Sequence, residues 1–525
     1  MPKLIPGDGP QTAADVLDEV LSKDPERVAL VGRSGRFDYR SLDLAVNRAA
    51  HGFARLGVGA GDRVAACLPN DVEIVIAMLA TLRLGALWVG INRPLAPREK
   101  AWILADCGAR LFLARPEYAA EVEGERSGLD SLEQVIVSDP GSGGGDPWTE
   151  LLEGAPEETR PQVTIDPFAP AAIAYTSGTT GFPKGAVHSQ HNMLIPGALA
   201  VALGRYAGAS QGVVLPLSIL NLMVLGPLTA YQDGTSLVAI DRIDPVGLAE
   251  WIRRERVGNL CGVPTVLHDL LTHPDVKAED LASLRTPEVG GAIVPEEFRR
   301  LYRERFGVGV RIGYGMTEAP TAVTWSGTED ASLPGLCGKP QDYVEIHILD
   351  ENGSECPTGE VGEICIAPAS SGAWKDVYTP MLRYWNNPEA TEKALLDGVY
   401  HSGDLGFIAE DGNLFIRGRR NELILRGGAN VYPAEVERIL ELDPGIAGSA
   451  VLGLPDERLG ERVVAVVECE PDAEVEAESL LDACRAELAR YKVPEQILFV
   501  ETLPRNAMSK VVKRELLPLF GVTDS

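Results

Sequence analysis

Positive charge is scarce in this chain. Its 525 residues include 48 lysines and arginines against 76 aspartates and glutamates, which gives a net charge of −28 at pH 7. Such an excess of negative charge repels nucleic acid and anionic membrane surfaces, so we expect neither as a partner. We expect small-molecule substrates instead. A phosphate site would have to be a local exception, built from backbone N–H groups and a few placed cations.

Closely spaced cysteines are also absent. No two of the eight cysteines form a C-x-x-C pair, and several lie in apolar runs. This pattern predicts buried free thiols in a reducing compartment, without a disulfide framework or a zinc site, and hence a cytoplasmic protein. The eight are Cys67, Cys107, Cys261, Cys337, Cys356, Cys365, Cys469 and Cys484.

Long uninterrupted apolar runs are the third absence. The first eleven residues contain no apolar core, so we expect no signal peptide. Residues 206–232 carry no charge, but glycine, proline and asparagine interrupt them, so we expect no membrane span. The run predicts buried core or the wall of an apolar pocket. The interrupting residues are Gly208, Gly212, Pro216, Asn221, Gly226 and Pro227.

Strand and helix patterns alternate along the chain. Short apolar strands are predicted at 63–68, 87–91 and 111–114, with a helix starting after Asn70 or Asp71 and another over 98–107. This rhythm indicates an α/β architecture with largely parallel sheets. The last hundred residues differ, with strands at 462–468 and 497–500 around a helix at 478–488. We therefore predict a large domain over residues 1–420 and a small α+β domain over residues 421–525.

The strongest motif is the run Tyr-Thr-Ser-Gly-Thr-Thr-Gly-Phe-Pro-Lys-Gly at 175–185. It follows an apolar run, where a strand should end. Its glycines allow tight turns, and its hydroxyls and lysine add donors, which suits the β- and γ-phosphates of a nucleotide. It is not a Walker A loop, because two residues separate its last internal glycine from its lysine. The candidate binding residues are Thr176, Ser177, Gly178, Thr179, Thr180, Gly181 and Lys184.

This loop resembles the phosphate loop of the adenylate-forming superfamily, which comprises acyl-CoA synthetases, carrier-loading adenylation domains and luciferases. Further motifs of that superfamily follow in order over nearly the whole chain. The resemblance implies a large multi-subdomain N-terminal domain and a small mobile C-terminal domain. Beyond the loop, the matching residues are Gly290, Gly291, Ala292, Tyr314, Gly315, Met316, Thr317, Glu318, Asp404, Arg419, Gly427, Gly428 and Lys510.

In the larger domain the resemblance implies a nucleotide site. The segment 290–292 would lie beside adenine, and Tyr314 offers a ring on which adenine can stack. Thr317 can bond a phosphate or the substrate carboxylate. Glu318 is a hard oxygen ligand suited to Mg²⁺. Lys184, Thr317, Glu318 and Lys510 are the catalytic candidates, and Gly315 and Met316 belong to the same nucleotide motif.

Further along the chain, still within residues 1–420, the resemblance implies a ribose contact at Asp404, whose carboxylate can accept both hydroxyls, and a ribose and phosphate contact at Arg419. The segment 427–428 would line the pantetheine tunnel. Lys510 would bridge the attacking carboxylate and the α-phosphate. Lys513 is its rival, interpreted as a solvated helix residue.

Four residues depart from the superfamily pattern. Asn421 stands where an aspartate or lysine hinge is usual, and Ser509 stands where glycine is commonest. Ser218 and Ile219 replace the aromatic residue and histidine common in CoA ligases. No acidic residue there could meet a substrate amino group, which favours an apolar or weakly polar acid over an amino acid.

The implied activity is ATP-dependent ligation of a carboxylic acid to CoA. The acid displaces pyrophosphate to form an acyl-adenylate, and CoA then displaces AMP. The substrates would be ATP with Mg²⁺, the acid and CoA. Two alternatives stay open, namely loading of a carrier-protein phosphopantetheine, and a non-catalytic adenylate-binding relative. Assembly as a homodimer is open as well.

Overall fold

The computed structural model describes two compact units. The first comprises Met1–Ile346 and Ile366–His401, and the second His347–Cys365 and Ser402–Ser525. The described chain omits residues 1, 141–145, 177–182, 207, 286–287, 291–295, 308, 328–332, 334, 427–428, 457, 472, 507–509 and 523–525.

The described strands are β1 (Val28–Val31), β2 (Arg36–Asp38), β3 (Arg63–Cys67), β4 (Leu87–Gly90), β5 (Leu111–Ala114), β6 (Gln134–Val137), β7 (Pro170–Thr176), β8 (Lys184–Ser189), β9 (Gln211–Val213), β10 (Leu237–Ala239), β11 (Asn259–Gly262), β12 (Glu288–Gly290), β13 (Arg311–Met316), β14 (Thr321–Trp325), β15 (Leu336–Pro340), β16 (Val344–Leu349), β17 (Gly362–Pro368), β18 (Arg383–Tyr384), β19 (Leu395–Leu396), β20 (Val399–Ile408), β21 (Leu414–Arg419), β22 (Ile424–Arg426), β23 (Ala429–Val431), β24 (Ile446–Asp456), β25 (Gly460–Cys469) and β26 (Gln496–Val500).

The described α-helices are α1 (Asp18–Lys23), α2 (Tyr39–Arg55), α3 (Val72–Arg83), α4 (Pro97–Cys107), α5 (Pro116–Gly124), α6 (Pro147–Leu152), α7 (Gln190–Ala202), α8 (Leu220–Met223), α9 (Thr229–Gln232), α10 (Pro245–Glu255), α11 (Pro264–Thr272), α12 (Glu296–Phe306), α13 (Pro388–Ala394), α14 (Pro433–Leu440) and α15 (Ala477–Glu487). A π-helix spans Val224–Leu228, and 3₁₀ turns span Ala13–Asp15, Ala278–Leu281, Arg420–Glu422, Arg490–Lys492 and Lys513–Phe520.

The first unit is built on two sheets in which most neighbouring strands are parallel. One runs in the order β6-β5-β3-β4-β7-β8-β18, and the other in the order β2-β1-β10-β9-β11-β12-β13-β14-β15. Antiparallel pairs occur at β7–β8, β8–β18, β1–β2, β13–β14 and β14–β15. The predicted α/β class with largely parallel sheets is confirmed.

Helix α3 begins where the local sequence signals predict a helix start. The Asp71 carboxylate accepts a hydrogen bond from the Val72 N–H, as the predicted cap should. Every residue of α3 is buried. A mostly apolar helix that is buried on all sides belongs to the core.

The second unit contains a small mixed sheet packed with helices. Strand β25 pairs antiparallel with β22 and β24 and parallel with β26. One apolar core joins this sheet to α14 and α15. The predicted small α+β domain is therefore present. The predicted boundary between residues 420 and 421 stays a prediction.

Two further properties concern the whole chain. All eight cysteines are free thiols, and five of them are buried. In the part of the chain described above, no helix combines the length and the apolar character needed to cross a membrane.

Candidate active site

The predicted phosphate loop joins the two strands of a hairpin. Strand β7 ends at Thr176 and β8 begins at Lys184, and these two residues pair across the antiparallel ladder. The Thr176 hydroxyl donates to the Lys184 carbonyl oxygen at 3.4 Å. Both ends of the predicted loop are thus fixed to one sheet. The predicted binding residues Ser177, Gly178, Thr179, Thr180 and Gly181 lie outside the described residues.

Lys184 and Glu318 share an aromatic neighbour, Tyr384. The Lys184 ammonium lies 5.4 Å from the centre of the Tyr384 ring, and the Tyr384 hydroxyl donates to the Glu318 carboxylate at 2.9 Å. Strand β18 places Tyr384 opposite Ala186 of β8, next to the hairpin. Two predicted catalytic residues, far apart in sequence, are therefore brought together by one phenol.

The Glu318 carboxylate is oriented by a neutral donor, the Tyr384 hydroxyl. Tyr400 is buried and hydrogen-bonded to Tyr384, and burial together with the nearby Glu318 charge holds the pKa of Tyr400 well above its usual value. The backbone of Glu318 is fixed as well, because its carbonyl oxygen accepts from the Met381 N–H at 2.7 Å. A half-buried carboxylate with one oxygen held by a hydroxyl fits Mg²⁺, which takes oxygen ligands and usually completes its shell with water and phosphate oxygens.

Thr317 is held through its backbone by a buried histidine. His188 Nε2 lies 2.7 Å from the Thr317 carbonyl oxygen, and Asn192 Nδ2 lies 3.1 Å from His188 Nδ1. The same Asn192 nitrogen contacts the Pro380 carbonyl at 3.1 Å, which identifies it as the donor. His188 therefore carries its proton on Nε2. Burial lowers the pKa of His188 to about 4, so the ring is neutral at pH 7.

The turn that carries Thr317 and Glu318 is unusually tight. A Cβ at Gly315 would lie 1.8 Å from the Thr321 carbonyl oxygen, so only glycine fits there. Thr321 itself has φ of 75°, a region that a β-branched residue seldom adopts. Such strain is common at functional sites, where the surrounding structure enforces it.

The predicted adenine segment lies beside this turn. Gly290, the last residue of β12, pairs with Gly313 of β13, next to Tyr314. Tyr314 is only 9% exposed. The predicted contacts Gly291 and Ala292 lie outside the described residues.

In the second unit, the two predicted ribose residues form an ion pair. Asp404 of β20 lies opposite Arg419 of β21, and Arg419 Nε is 2.6 Å from Asp404 Oδ1. Asp404 is buried, whereas the Arg419 side chain is 46% exposed. The charge of the buried carboxylate is thus balanced by an arginine at the surface of this unit.

Lys510 lies in a short loop closed by Asn506. The Asn506 N–H donates to the Lys510 carbonyl oxygen at 2.8 Å, and the Lys510 N–H donates to Asn506 Oδ1 at 3.0 Å. Lys510 is exposed. Residues 507–509, including the departure at Ser509, lie outside the described residues, as do the predicted tunnel residues Gly427 and Gly428.

The interpretation of Lys513 as a solvated residue is wrong. Its side chain is 22% exposed, and its ammonium lies 2.8 Å from carboxylate oxygens of both Glu422 and Glu437. The local pattern missed these partners because they lie far back in the sequence.

Sequence reasoning also missed Tyr384, His188 and Asn192. Tyr384 carries no motif signal, because its strand is two residues long. The histidine had a weak signal, since the polar run His-Ser-Gln-His-Asn at 188–192 interrupts an apolar strand and helix. Buried polar residues of this kind are usually retained for specific hydrogen bonds.

Comparison with known families gives two matches. Residues 17–371 match the AMP-binding enzyme family, and residues 435–510 match the AMP-binding enzyme C-terminal domain.

Full-length relatives agree with these matches. A feruloyl-CoA synthase from an Amycolatopsis species is 32% identical over 92% of this chain and 94% of its own. The fatty acid–[acyl-carrier-protein] ligase ScoC of Streptomyces coeruleorubidus is 32% identical over 97% of this chain and 96% of its own.

Solved structures show the same fold. The anthranilate CoA ligase AuaEII, in complex with anthranoyl-AMP, superposes with a TM-score of 0.87 at 25% identity, over 97% of each chain. ATP-bound MatB from Rhodopseudomonas palustris gives 0.87 at 28% identity, over 97% of this chain and 99% of its own. The chain therefore belongs to the AMP-binding enzyme family and is an ATP-using, AMP-forming acid–thiol ligase of the adenylate-forming superfamily.

Proposed function

We propose that this protein is an ATP-dependent carboxylic acid–CoA ligase. The observation that carries the proposal is that Lys184 contacts the Tyr384 ring while Glu318, next to Thr317 in the chain, accepts from the Tyr384 hydroxyl. A fixed cation and a fixed carboxylate are the two charges that a magnesium–nucleotide complex requires, one for phosphate oxygens and one for the metal.

In the first half-reaction, a carboxylate oxygen of the acid attacks the α-phosphorus of ATP. The new P–O bond forms as the bond to pyrophosphate breaks, which leaves an acyl-adenylate. Lys184 and Lys510 would neutralise charge on the phosphates, and Thr317 would orient the phosphate or the acid. When bound by Glu318, Mg²⁺ would neutralise further phosphate charge.

In the second half-reaction, the CoA sulfur attacks the acyl carbonyl carbon. A thioester forms, AMP leaves, and the thiol proton is released to solvent. The thiol is itself the nucleophile, so no cysteine of the protein is required. Asp404 and Arg419 would hold the ribose and phosphate of the adenylate, and residues 427–428 would admit the pantetheine arm.

The acid is proposed to have an apolar body. In the charge-free run, Leu220, Leu222 and Met223 are buried, and α8 passes directly into the π-helix Val224–Leu228. Single-turn π-helices occur often at functional sites. Within the described chain, the buried Asn221 Oδ1 has no hydrogen-bond partner. An aliphatic or aryl acid with a weakly polar group suits this segment better than a zwitterion, whose ammonium would be buried unpaired.

Two thiols are candidates for the acyl acceptor, that of CoA and that of a carrier-protein phosphopantetheine. The similarity to a fatty acid–[acyl-carrier-protein] ligase favours a carrier protein as the second candidate. Both acceptors present a pantetheine thiol, so the same acyl-adenylate chemistry serves either.

The test is a pyrophosphate-release screen of the purified protein with aliphatic, alicyclic and aryl acids, with and without CoA. We expect acid-dependent pyrophosphate release and a thioester with free CoA. Thioester formation only with a phosphopantetheinylated carrier would transfer the proposal to the carrier-loading alternative. Absence of pyrophosphate release with all acids would support a non-catalytic relative.

A further inference from the structure

Lys513 occupies a position that its local sequence does not reveal. It begins the 3₁₀ turn Lys513–Phe520, three residues after Lys510. Its ammonium lies 2.8 Å from Glu422 Oε2 and 2.8 Å from Glu437 Oε1. A lysine held by two carboxylates at these distances is fixed in place, unlike an exposed surface lysine.

Each carboxylate belongs to a different element of the second unit. Glu437 lies on α14, and its Oε1 also accepts from the Val451 N–H of β24 at 2.9 Å. Glu422 ends the 3₁₀ turn Arg420–Glu422 and directly follows Asn421, the predicted pivot. One ammonium therefore joins the C-terminal segment, a core helix and the residue after the pivot.

The ammonium remains charged at this position. Burial disfavours its charge, but the carboxylates of Glu437 and Glu422 outweigh burial and raise the pKa of Lys513 above its ordinary value. Lys513 therefore stays a cation at neutral pH.

The backbone between Lys510 and Lys513 is short and is held by hydrogen bonds. Val511 pairs with Arg505 through a β-bridge, and the Val512 N–H donates to the Pro504 carbonyl oxygen at 2.8 Å. Only these two paired residues separate Lys513 from Lys510. A change in the position of Lys513 would therefore be passed to the Lys510 loop.

We propose that Lys513 is a positioning residue, which ties the Lys510 loop to the residue after the pivot so that Lys510 keeps its place for adenylation. This inference rests on the proposed function, because it assigns Lys510 to the first half-reaction. Lys513 touches neither substrate nor nucleotide in this assignment and acts only through Lys510.

The main experiment compares Lys513→Met, Lys513→Arg and Glu422→Gln in separate half-reactions. We expect Lys513→Met to lower pyrophosphate formation at least tenfold while converting supplied acyl-adenylate and CoA to thioester at nearly the normal rate. Lys513→Arg should restore most of the loss, and Glu422→Gln should show a smaller loss of the same kind. Equal loss of both half-reactions in Lys513→Met would overturn the proposal, as would no loss.

A double-mutant cycle with Lys510→Ala separates positioning from general stability. If Lys513 acts through Lys510, Lys513→Met should add no further loss of pyrophosphate formation in the Lys510→Ala background. Multiplying losses would show that Lys513 acts independently.

Lys492→Met is the matched control. Lys492 lies in the same unit, is 20% exposed, and pairs with Glu435 at 2.5 Å without contacting Glu422 or Glu437 through any described bond. It should leave the ratio of the two half-reactions unchanged. A shift in that ratio equal to that of Lys513→Met would assign the effect to general loss of a buried ion pair.

Hydrogen exchange tests the link without any activity. The amides of Lys510 and Val512 should exchange faster in Lys513→Met than in the wild type and in Lys492→Met. Unchanged exchange would refute the link. An absence of pyrophosphate release by the wild type would instead count against the proposed function, and the exchange measurement would still decide on the link.

Discussion

Lys510 is exposed in a loop that its neighbour Asn506 closes with two hydrogen bonds. An ammonium carried by an exposed backbone segment can reach a bound substrate. We expect Lys510→Ala to lose pyrophosphate formation by about two orders of magnitude or more, since one preorganised charge contributes on that scale. Conversion of supplied acyl-adenylate to thioester should persist.

The measurement is the two half-reaction rates of purified Lys510→Ala. Equal loss in both would show that Lys510 has no special role in adenylation. Lys513→Ala is unsuitable as a control for Lys510→Ala, because Lys513 forms ion pairs with two carboxylates. Arg485→Ala is the better comparison, because Arg485 pairs with the exposed carboxylates of Glu478 and Asp482 on its own helix.

His188 predicts a pH dependence of stability. Its pKa is about 4 in the folded protein, because of burial, against about 6.5 when unfolded. The unfolded chain therefore gains a proton as pH falls from about 7 to 4, whereas the folded chain does not. Protonation of His188 in the unfolded chain therefore lowers the free energy of unfolding as pH falls. The loss is roughly 3 kcal/mol between pH 7 and pH 4.

The comparison is the melting temperature of the wild type and His188→Gln between pH 4.5 and 7.5. Glutamine can still donate to the Thr317 carbonyl but does not titrate. The melting temperature of the wild type should fall more on acidification than that of His188→Gln. The difference between the two melting temperatures should therefore become smaller at low pH. Parallel curves would contradict a buried neutral histidine.

At the scale of elements, the 3₁₀ turn Arg420–Glu422 separates β21 from β22. Proline fixes φ near −65°, which a 3₁₀ turn accepts, so Asn421→Pro should fold normally while restricting rotation at this residue. We expect one half-reaction to suffer, and specifically thioester formation, because ATP would select the adenylating arrangement.

Acyl-adenylate formation and CoA transfer must be measured separately in Asn421→Pro. Proportionate loss of both with an unchanged melting temperature would place the pivot elsewhere. Normal rates in both would make Asn421 an ordinary linker residue.

The segment Ile219 to Met223 predicts acid selectivity. Ile219 precedes α8, and Asn221 carries the buried oxygen without a described partner. Ile219→Ala should shift the kcat/KM preference towards bulkier acids, by about tenfold per one or two methylenes. Asn221→Leu should favour fully apolar acids over those with a hydrogen-bond donor. Unchanged selectivity in both, or faster turnover of free amino acids, would refute the pocket assignment.

Elements with strong local signals were predicted well. Strand β5 was expected at 111–114 and is Leu111–Ala114, and Asp71, one of the two cap candidates for α3, is the cap. The failures share one cause. Tyr384 meets Glu318 across 66 residues and Lys513 meets Glu422 across 91, so no local pattern could show either pair. The roles of the matched motif residues remain predictions.

For the whole molecule, the net charge of −28 faces substrates that are themselves anions. Long-range repulsion should slow the approach of CoA at low ionic strength, and salt should screen it. We expect kcat/KM for CoA to rise several-fold between about 10 mM and 150 mM salt. Uncharged pantetheine as acceptor should show little change. Equal salt dependence for both acceptors would exclude electrostatic repulsion as the cause.

The eight free cysteines bear on a different property, the chemical selectivity of the catalyst. An acyl-adenylate acylates any thiolate that reaches it. Burial raises the pKa of five thiols to about 11 or 12, so they stay protonated and unreactive at pH 7; these are Cys67, Cys107, Cys261, Cys365 and Cys484. The protein is thereby protected from its own product at these positions. The acyl-adenylate can therefore remain bound until the acceptor thiol arrives, without acylating these cysteines.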